Sequence, residues 1–142
     1  MKKIAIQGVQ GSFHHKVAQD FFSEDVAVTE CMSFPALIDS LLSGESTDAI
    51  MAIENSIAGA ILPNYALLDQ HKLTIEGEYY LEIQHNLMGL PGQDIAAITE
   101  VWSHPMALLQ CRNFFKSYPH IKLVEDTDTA GVAREIKAKG LK

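Results

Sequence analysis

The stretch Leu73–Leu87, LTIEGEYYLEIQHNL, decides how the chain is organised, because it interrupts a regular alternation of strand and helix patterns. Its odd positions are mostly apolar, and its even positions are polar or charged apart from Tyr80. A period of two is typical of extended chain, but at about 3.3 Å per residue this stretch would span about 50 Å, far more than an ordinary strand. We interpret it as a ribbon that crosses between two lobes, with Gly77 as the place for a bend.

Strand and helix patterns alternate on both sides of this ribbon. Strands are predicted at residues 4–7, 26–31, 48–53, 99–103 and 121–125, and the clearest helices at 34–42, 105–118 and 127–139. Ser33 suits an N-cap, Pro105 a first helical turn, and Gly44 and Gly140 helix ends. Such alternation predicts an α/β fold with two lobes, parallel-rich sheets and helices on both faces. We assign residues 1–74 to the first lobe, 75–90 to the crossing ribbon and 91–142 to the second lobe.

The charge and hydropathy of the chain exclude several classes of partner. The formal net charge is −7 and the only arginines are Arg112 and Arg134, so a nucleic-acid partner is not expected. No apolar run approaches the roughly 20 residues that a membrane span needs, so no membrane partner is expected. The apolar stretch at the N-terminus is too short for a signal peptide, and the expected location is the cytoplasm.

Cysteine and histidine spacing gives no sign of a metal site. Cys31 and Cys111 lie far apart and form no CxxC motif, and none of the six histidines are paired at i, i+4. His85 falls on the apolar side of the ribbon, where a hydrogen-bonded core residue is a better explanation than a catalyst. We expect neither a metal nor a disulfide.

Four turns combine small or hydrogen-bonding residues with a predicted strand end or helix start: Gly8–Ser12, Glu54–Gly59, Ser103–Pro105 and Asp126–Ala130. The carboxyl ends of parallel strands meet at one edge of a sheet, and helix N-termini there can bind an anion without Lys or Arg. Any single turn is explained as simply by a helix cap, with Asp126 or Thr127 capping the last helix. Together they predict a site for a small anion or polar ligand, with Glu54-Asn55-Ser56 the most informative turn.

At these same turns the sequence resembles the prephenate dehydratase family. The resemblance runs from Ile4 to about Gly140 and depends on the order and spacing of five pieces. They are Gly8-Val9-Gln10-Gly11-Ser12-Phe13, the run Ile53–Gly59, the ribbon from Ile75 to His85, Ser103-His104-Pro105 with Gln110-Cys111, and Asp128-Thr129-Ala130.

The resemblance implies a two-lobed fold similar to type II periplasmic binding proteins, with the substrate in a cleft. It implies conversion of prephenate to phenylpyruvate, water and CO2 in L-phenylalanine biosynthesis, without metal or organic cofactor, by a homo-oligomer. By resemblance the catalytic residues are Asn55, Ser103 and Gln110. The residues that would bind the dicarboxylate substrate through hydroxyl and backbone N–H groups are Ser12, Ser56, Thr129 and Ala130.

The sequence departs from the family pattern at several points. Val9 stands where proline is usual, His14 where a hydroxyl residue is usual, and Met106 where glutamine follows His-Pro. A downstream Thr-Arg-Phe motif, whose threonine is the favoured proton donor, is absent, as is a regulatory domain of the ACT type. We therefore expect an incomplete first lobe and a truncated, inactive catalytic domain. Two alternatives stay open: arogenate dehydratase, and a binding module that holds a small carboxylate on the same scaffold without turnover.

Overall fold

The computed structural model describes residues 2–23, 25–57 and 59–141, and the chain divides into two compact units, Met1–Ile83 and Gln84–Lys142. The first unit contains β1 (Lys3–Gln7), α1 (Phe13–Phe21), β2 (Ala27–Cys31), α2 (Phe34–Leu42), β3 (Asp48–Ile50), β4 (Glu54–Asn55), β5 (Gly59–Ala60) and α3 (Leu62–Gln70). The second contains a short 3-10 helix (Ile95–Ala97), β6 (Glu100–Ser103), α4 (Pro105–Gln110), α5 (Arg112–Phe115), β7 (Lys122–Glu125) and α6 (Thr129–Lys139).

The first unit is built on a parallel sheet of order β2-β1-β3. Ile4 and Ile6 point to one face and pack with Ala18 of α1, whereas Ala5 points to the other face and packs with Leu37 and Ile38 of α2. Successive residues of a strand alternate between faces, so three consecutive buried residues require a helix on each side. Helices on both faces of a parallel sheet are confirmed in this unit.

The second unit contains a parallel pair, β6 and β7, in which Ser103 is the partner of Glu125. Pro105 begins α4 as predicted, but the single helix predicted to reach about Tyr118 is wrong, because Cys111 has φ −90° and ψ 1° and separates α4 from α5. The predicted helix end at Gly140 is confirmed, with that residue in the left-handed region at φ 62°.

The cap of α6 also differs from the prediction. Asp128, with an extended backbone, accepts a hydrogen bond from the N–H of Gly131. The carboxylate of Asp126 accepts instead from the adjacent N–H of Thr127 at 2.6 Å. Asp126 and Thr127 therefore precede the helix without capping it.

Residues 73–90 form neither helix nor strand. Within Leu73–Leu87 only Leu73, Leu81 and His85 are half-buried, and all three are at odd positions, so the alternation of the sequence persists in the exposure of its side chains. The segment packs on α1 near Gly77: a Cβ added there would lie 2.8 Å from Cζ of Phe21. Along the chain, the first unit ends at Ile83 and the second begins at Gln84, within the stretch assigned to the ribbon.

Candidate functional site

Several hydrogen-bonding groups in the turn after β1 have partners within the protein. Ser12 caps α1, its Oγ accepting from the N–H of His15 at 3.3 Å. The N–H of Gln10 donates to Oε1 of Glu30 at 2.7 Å, and the N–H of Gly11 donates to Nδ1 of His15 at 3.1 Å. These two backbone donors are therefore engaged within the protein. Because an ionised carboxylate only accepts hydrogen bonds, the hydroxyl proton of Ser12 is the side-chain group through which this residue would bind one.

His14 lies in the first turn of α1. Its ring meets Phe34 edge-on at 5.8 Å between centroids. Burial lowers the pKa of His14 below its ordinary value, although a hydrogen bond to the backbone of Gln7 opposes the shift. Its Nε2 is enclosed and makes no hydrogen bond to the part of the chain that the structure describes. A histidine in this setting is neutral near pH 7, so it adds no positive charge to the turn.

The Glu54–Gly59 turn is not the strand-to-helix turn that the sequence predicts. β4 pairs with β5 in a small antiparallel hairpin, Glu54 with Ala60 and Asn55 with Gly59, and α3 begins only at Leu62. Oδ1 of the half-buried Asn55 accepts from the N–H of Ile57 at 2.9 Å. This bond engages the amide oxygen of Asn55, and the NH2 group is the donor of the same side chain. Ser56 is exposed at the turn.

Asn64 is a residue that sequence reasoning missed. It is 1% exposed, and its Nδ2 donates to the carbonyl of Ala52 at 2.7 Å. Nearby, the N–H of Ile61 donates to the carbonyl of Ile53 at 2.8 Å. The two bonds hold the chain on both sides of the hairpin that carries Asn55. The one signal in the sequence is an amide just after Pro63, within the otherwise apolar start of α3.

In the second unit, Ser103 lies at the carboxyl end of β6 and is buried. Its carbonyl accepts from the N–H of Asp126, just beyond the end of β7, at 2.9 Å. The chain then turns into α6, whose first residues are Thr129 and Ala130. Because β6 and β7 are parallel, Ser103 and the N-terminus of α6 lie at the same edge of this sheet. His104 caps α4, its Nδ1 accepting from the N–H of Met106 at 3.2 Å.

Gln110 is the last residue of α4, so it and Ser103 lie at opposite ends of a helix about 9 Å long at 1.5 Å per residue. Oε1 of Gln110 lies 2.6 Å from Nε2 of His85. The expectation that His85 makes a hydrogen bond is confirmed, although the residue is half-buried rather than deep in a core.

The predicted site residues are thus distributed over the two units. Ser12, Asn55 and Ser56 belong to the first, and Ser103, Gln110, Thr129 and Ala130 to the second. Among the described residues, no group of three His, Cys, Asp or Glu side chains could hold a metal ion. In the same part of the chain, no helix has the length and apolar character that crossing a membrane requires.

Fold and site together define an α/β protein with parallel sheets, in which the candidate ligand groups are amides, hydroxyls and helix N-termini rather than charged side chains. The chain belongs to the prephenate dehydratase family, whose model matches residues 4–142.

Curated relatives agree with this assignment. The chain is 34% identical over 136 residues to the bifunctional chorismate mutase/prephenate dehydratase of Escherichia coli strain K12, covering 94% of this chain and 35% of that protein. It is 36% identical over 140 residues to arogenate dehydratase 2 of Petunia hybrida, covering 99% of this chain and 35% of that protein. The chain therefore spans about a third of the length of these relatives.

Solved structures confirm the predicted α/β fold class. The prephenate dehydratase of Staphylococcus aureus subsp. aureus Mu50 superposes with a TM-score of 0.74 at 24% identity, over 90% of this chain and 48% of that one. A protein described as a novel type of quorum-quenching acylase, GqqA, superposes with a TM-score of 0.83 at 29% identity, over 98% of this chain and 50% of that one.

Proposed function

We propose that this chain carries part of the catalytic machinery that converts prephenate to phenylpyruvate, water and CO2 in L-phenylalanine biosynthesis. The observation that carries the proposal is the family match over residues 4–142, which includes every turn that the sequence singled out. The curated relatives include a prephenate dehydratase and an arogenate dehydratase, so the substrate is a carboxylated cyclohexadienol of this kind.

The reaction needs little covalent chemistry from a protein. The bond between the ring and its carboxylate breaks and releases CO2, and that electron pair enters the ring. The bond between the ring and its hydroxyl breaks, and the hydroxyl leaves as water after taking up one proton. Because aromatisation supplies the driving force, the protein has to orient the substrate, hold its carboxylates and supply that proton.

Asn55 and Gln110 suit the task of holding the substrate's carboxylates. In both, the amide oxygen is held by another group of the protein, the N–H of Ile57 or the ring of His85. The NH2 group is the hydrogen-bond donor of each side chain, and carboxylates accept such donors. We assign Asn55, Ser103 and Gln110 to catalysis, and Ser12, Ser56, Thr129 and Ala130 to substrate binding.

The proton donor is assigned by family resemblance to the threonine of a Thr-Arg-Phe motif, which this sequence does not contain. We therefore propose that residues 1–142 alone form phenylpyruvate slowly or not at all. We also propose a cytoplasmic homo-oligomer without metal or organic cofactor. Analytical ultracentrifugation measures the oligomeric state, and activity after dialysis against a chelator tests the metal.

The test measures phenylpyruvate formation from prephenate by the protein expressed from its full reading frame. Asn55→Ala is expected to lower kcat by about 100-fold, as for loss of a donor to a reacting anion, with an unchanged circular dichroism spectrum. The control Asn113→Ala alters an exposed asparagine of α5 and should leave kcat unchanged.

Three further substrates or readouts separate the alternatives. Conversion of arogenate but not prephenate would favour arogenate dehydratase, and binding of both without turnover would favour a binding module. An N-acylated substrate is included because one similar protein is described as an acylase. Its hydrolysis in the absence of phenylpyruvate formation would contradict the proposal.

A further inference from the structure

We infer that His85 is a positioning residue that sets the orientation of the Gln110 side-chain amide. The inference rests on the proposed function, which places Gln110 at the substrate. Its structural basis is the 2.6 Å approach of Nε2 of His85 to Oε1 of Gln110, across 25 residues of sequence. Both side chains are half-buried and both lie in the second unit.

The polarity of this bond follows from the chemistry of the two groups. An amide oxygen has no proton to give, so it can only accept, and Nε2 of His85 must be the donor. Neutral His85 is then the Nε2–H tautomer. The bond engages the oxygen of Gln110 and directs the two N–H donors of its NH2 group away from the imidazole.

This orientation decides what Gln110 offers to an anion. The terminal torsion of glutamine is broad and nearly two-fold, so the amide by itself has little preference between its two faces. Rotation by 180° would replace the NH2 group with the carbonyl oxygen, which repels a carboxylate. A donor that recognises only the oxygen removes this ambiguity, and the Nε2–H of His85 is such a donor.

Regular secondary structure does not continue at either residue, so their side chains matter for the orientation of the amide. Gln110 ends α4, and Cys111 after it has left the helical conformation. His85 stands in the segment 73–90, which has no regular secondary structure. The hydrogen bond joins these two places, so it constrains the amide beyond the end of the helix.

The first experiment reads the tautomer directly. The ring nitrogens of His85 are observed by 15N NMR in the protein expressed from its full reading frame, without substrate. The spectra are recorded in mildly alkaline buffer, where imidazoles are neutral, and the expected result is a protonated Nε2 and an unprotonated Nδ1, with both resonances shifted in Gln110→Leu. A protonated Nδ1 with an unprotonated Nε2 would overturn the inference.

The second experiment compares kcat for His85→Leu, His85→Gln, Gln110→Leu and the double variant His85→Leu/Gln110→Leu. His85→Leu removes the donor and is expected to lower kcat by about 10- to 100-fold through misplacement of Gln110. His85→Gln keeps a donor and should recover part of that loss. Because His85 acts through Gln110, the double variant should be no slower than Gln110→Leu alone.

The control His120→Leu replaces an exposed histidine of the same unit and should keep wild-type kcat. An equal loss from His85→Leu in the presence and in the absence of Gln110 would overturn the positioning role. If the wild-type protein forms no phenylpyruvate, or if Gln110→Leu is fully active, the proposed function or its assignment of Gln110 is wrong. The tautomer measurement decides the orientation of the amide in either case.

Discussion

Asn64 and Ala52 are joined by a hydrogen bond that supports the hairpin carrying Asn55: the Nδ2 of Asn64 donates to the carbonyl of Ala52 at 2.7 Å. Asn64 lies in the first turn of α3, and Ala52 lies between β3 and β4. The bond therefore links the helix that follows the hairpin to the chain that precedes it. Since Asn64 is 1% exposed, water cannot easily replace the bond.

Asn64→Leu should lower the free energy of unfolding by about 1–3 kcal/mol, because it leaves the Ala52 carbonyl without its donor in a buried place. The measurement is equilibrium unfolding in urea. The matched control is Asn86→Leu, since Nδ2 of Asn86 also donates to a backbone carbonyl, that of Gln84, but in an exposed setting at 3.1 Å. The control should cost less than about 0.5 kcal/mol. Equal losses for the two variants would show that the buried bond has no special importance.

Asp128→Ala should destabilise the protein by about 1 kcal/mol, because it removes the side chain that caps α6. Asp126→Ala should cost less than about 0.5 kcal/mol, since the hydrogen bonds described for its carboxylate come from the adjacent Thr127 and are exposed to solvent. Unfolding in urea measures both variants. A larger loss of unfolding free energy from Asp126→Ala than from Asp128→Ala would show that Asp126 caps α6, as the sequence predicts.

Where burial pattern and backbone requirements coincide, the sequence is sufficient to predict the fold. Ile4, Ala5 and Ile6 are three successive apolar residues, and only a strand covered on both faces buries all of them. Ser33, Pro105 and Gly140 occupy helix ends that suit their own geometry, and each is found there.

The structure differs from the sequence predictions where several residues could satisfy the same requirement. Asp126, Thr127 and Asp128 can all cap a helix, and the choice depends on which one has extended backbone just before the first turn. β4 and β5 have only two residues each, too few for a periodic pattern. Oδ1 of Asn55 accepts from the N–H two residues further on, a local spacing typical of asparagine in turns. The amide of Gln110, by contrast, contacts His85 across 25 residues, and no spacing rule in the sequence connects those partners.

Gly77→Ala should lower the free energy of unfolding by no more than about 1 kcal/mol, the lower end of the range for an overpacked core, because Phe21, which the new methyl group would meet, is 43% exposed. The new Cβ would lie 2.8 Å from Cζ of Phe21, so the aromatic ring has to move. Gly77 does not have a positive φ, so backbone strain makes no contribution. The cost should shrink when Phe21 is replaced by leucine, and a double-mutant cycle in urea measures that coupling. Additive losses would contradict a steric origin.

The stability of the protein should fall in mild acid because of His14. Burial lowers the pKa of His14 in the folded state, whereas the unfolded chain has a value near 6.5. Below about pH 6.5 the unfolded state therefore binds more protons than the folded state, and the free energy of unfolding falls as pH decreases. The loss approaches about 1.4 kcal/mol per pH unit at most, and it ends once the pH passes below the folded pKa.

His14→Phe keeps an aromatic ring beside Phe34 but cannot bind a proton. The difference in unfolding free energy between the wild type and this variant should be constant above about pH 7.5 and should shift in favour of the variant toward pH 5. Urea unfolding at several pH values measures the difference, and NMR titration of the His14 ring in the folded protein gives its pKa independently. Parallel pH profiles for the two proteins, together with a folded pKa at or above 6.5, would show that the enclosed ring does not resist protonation.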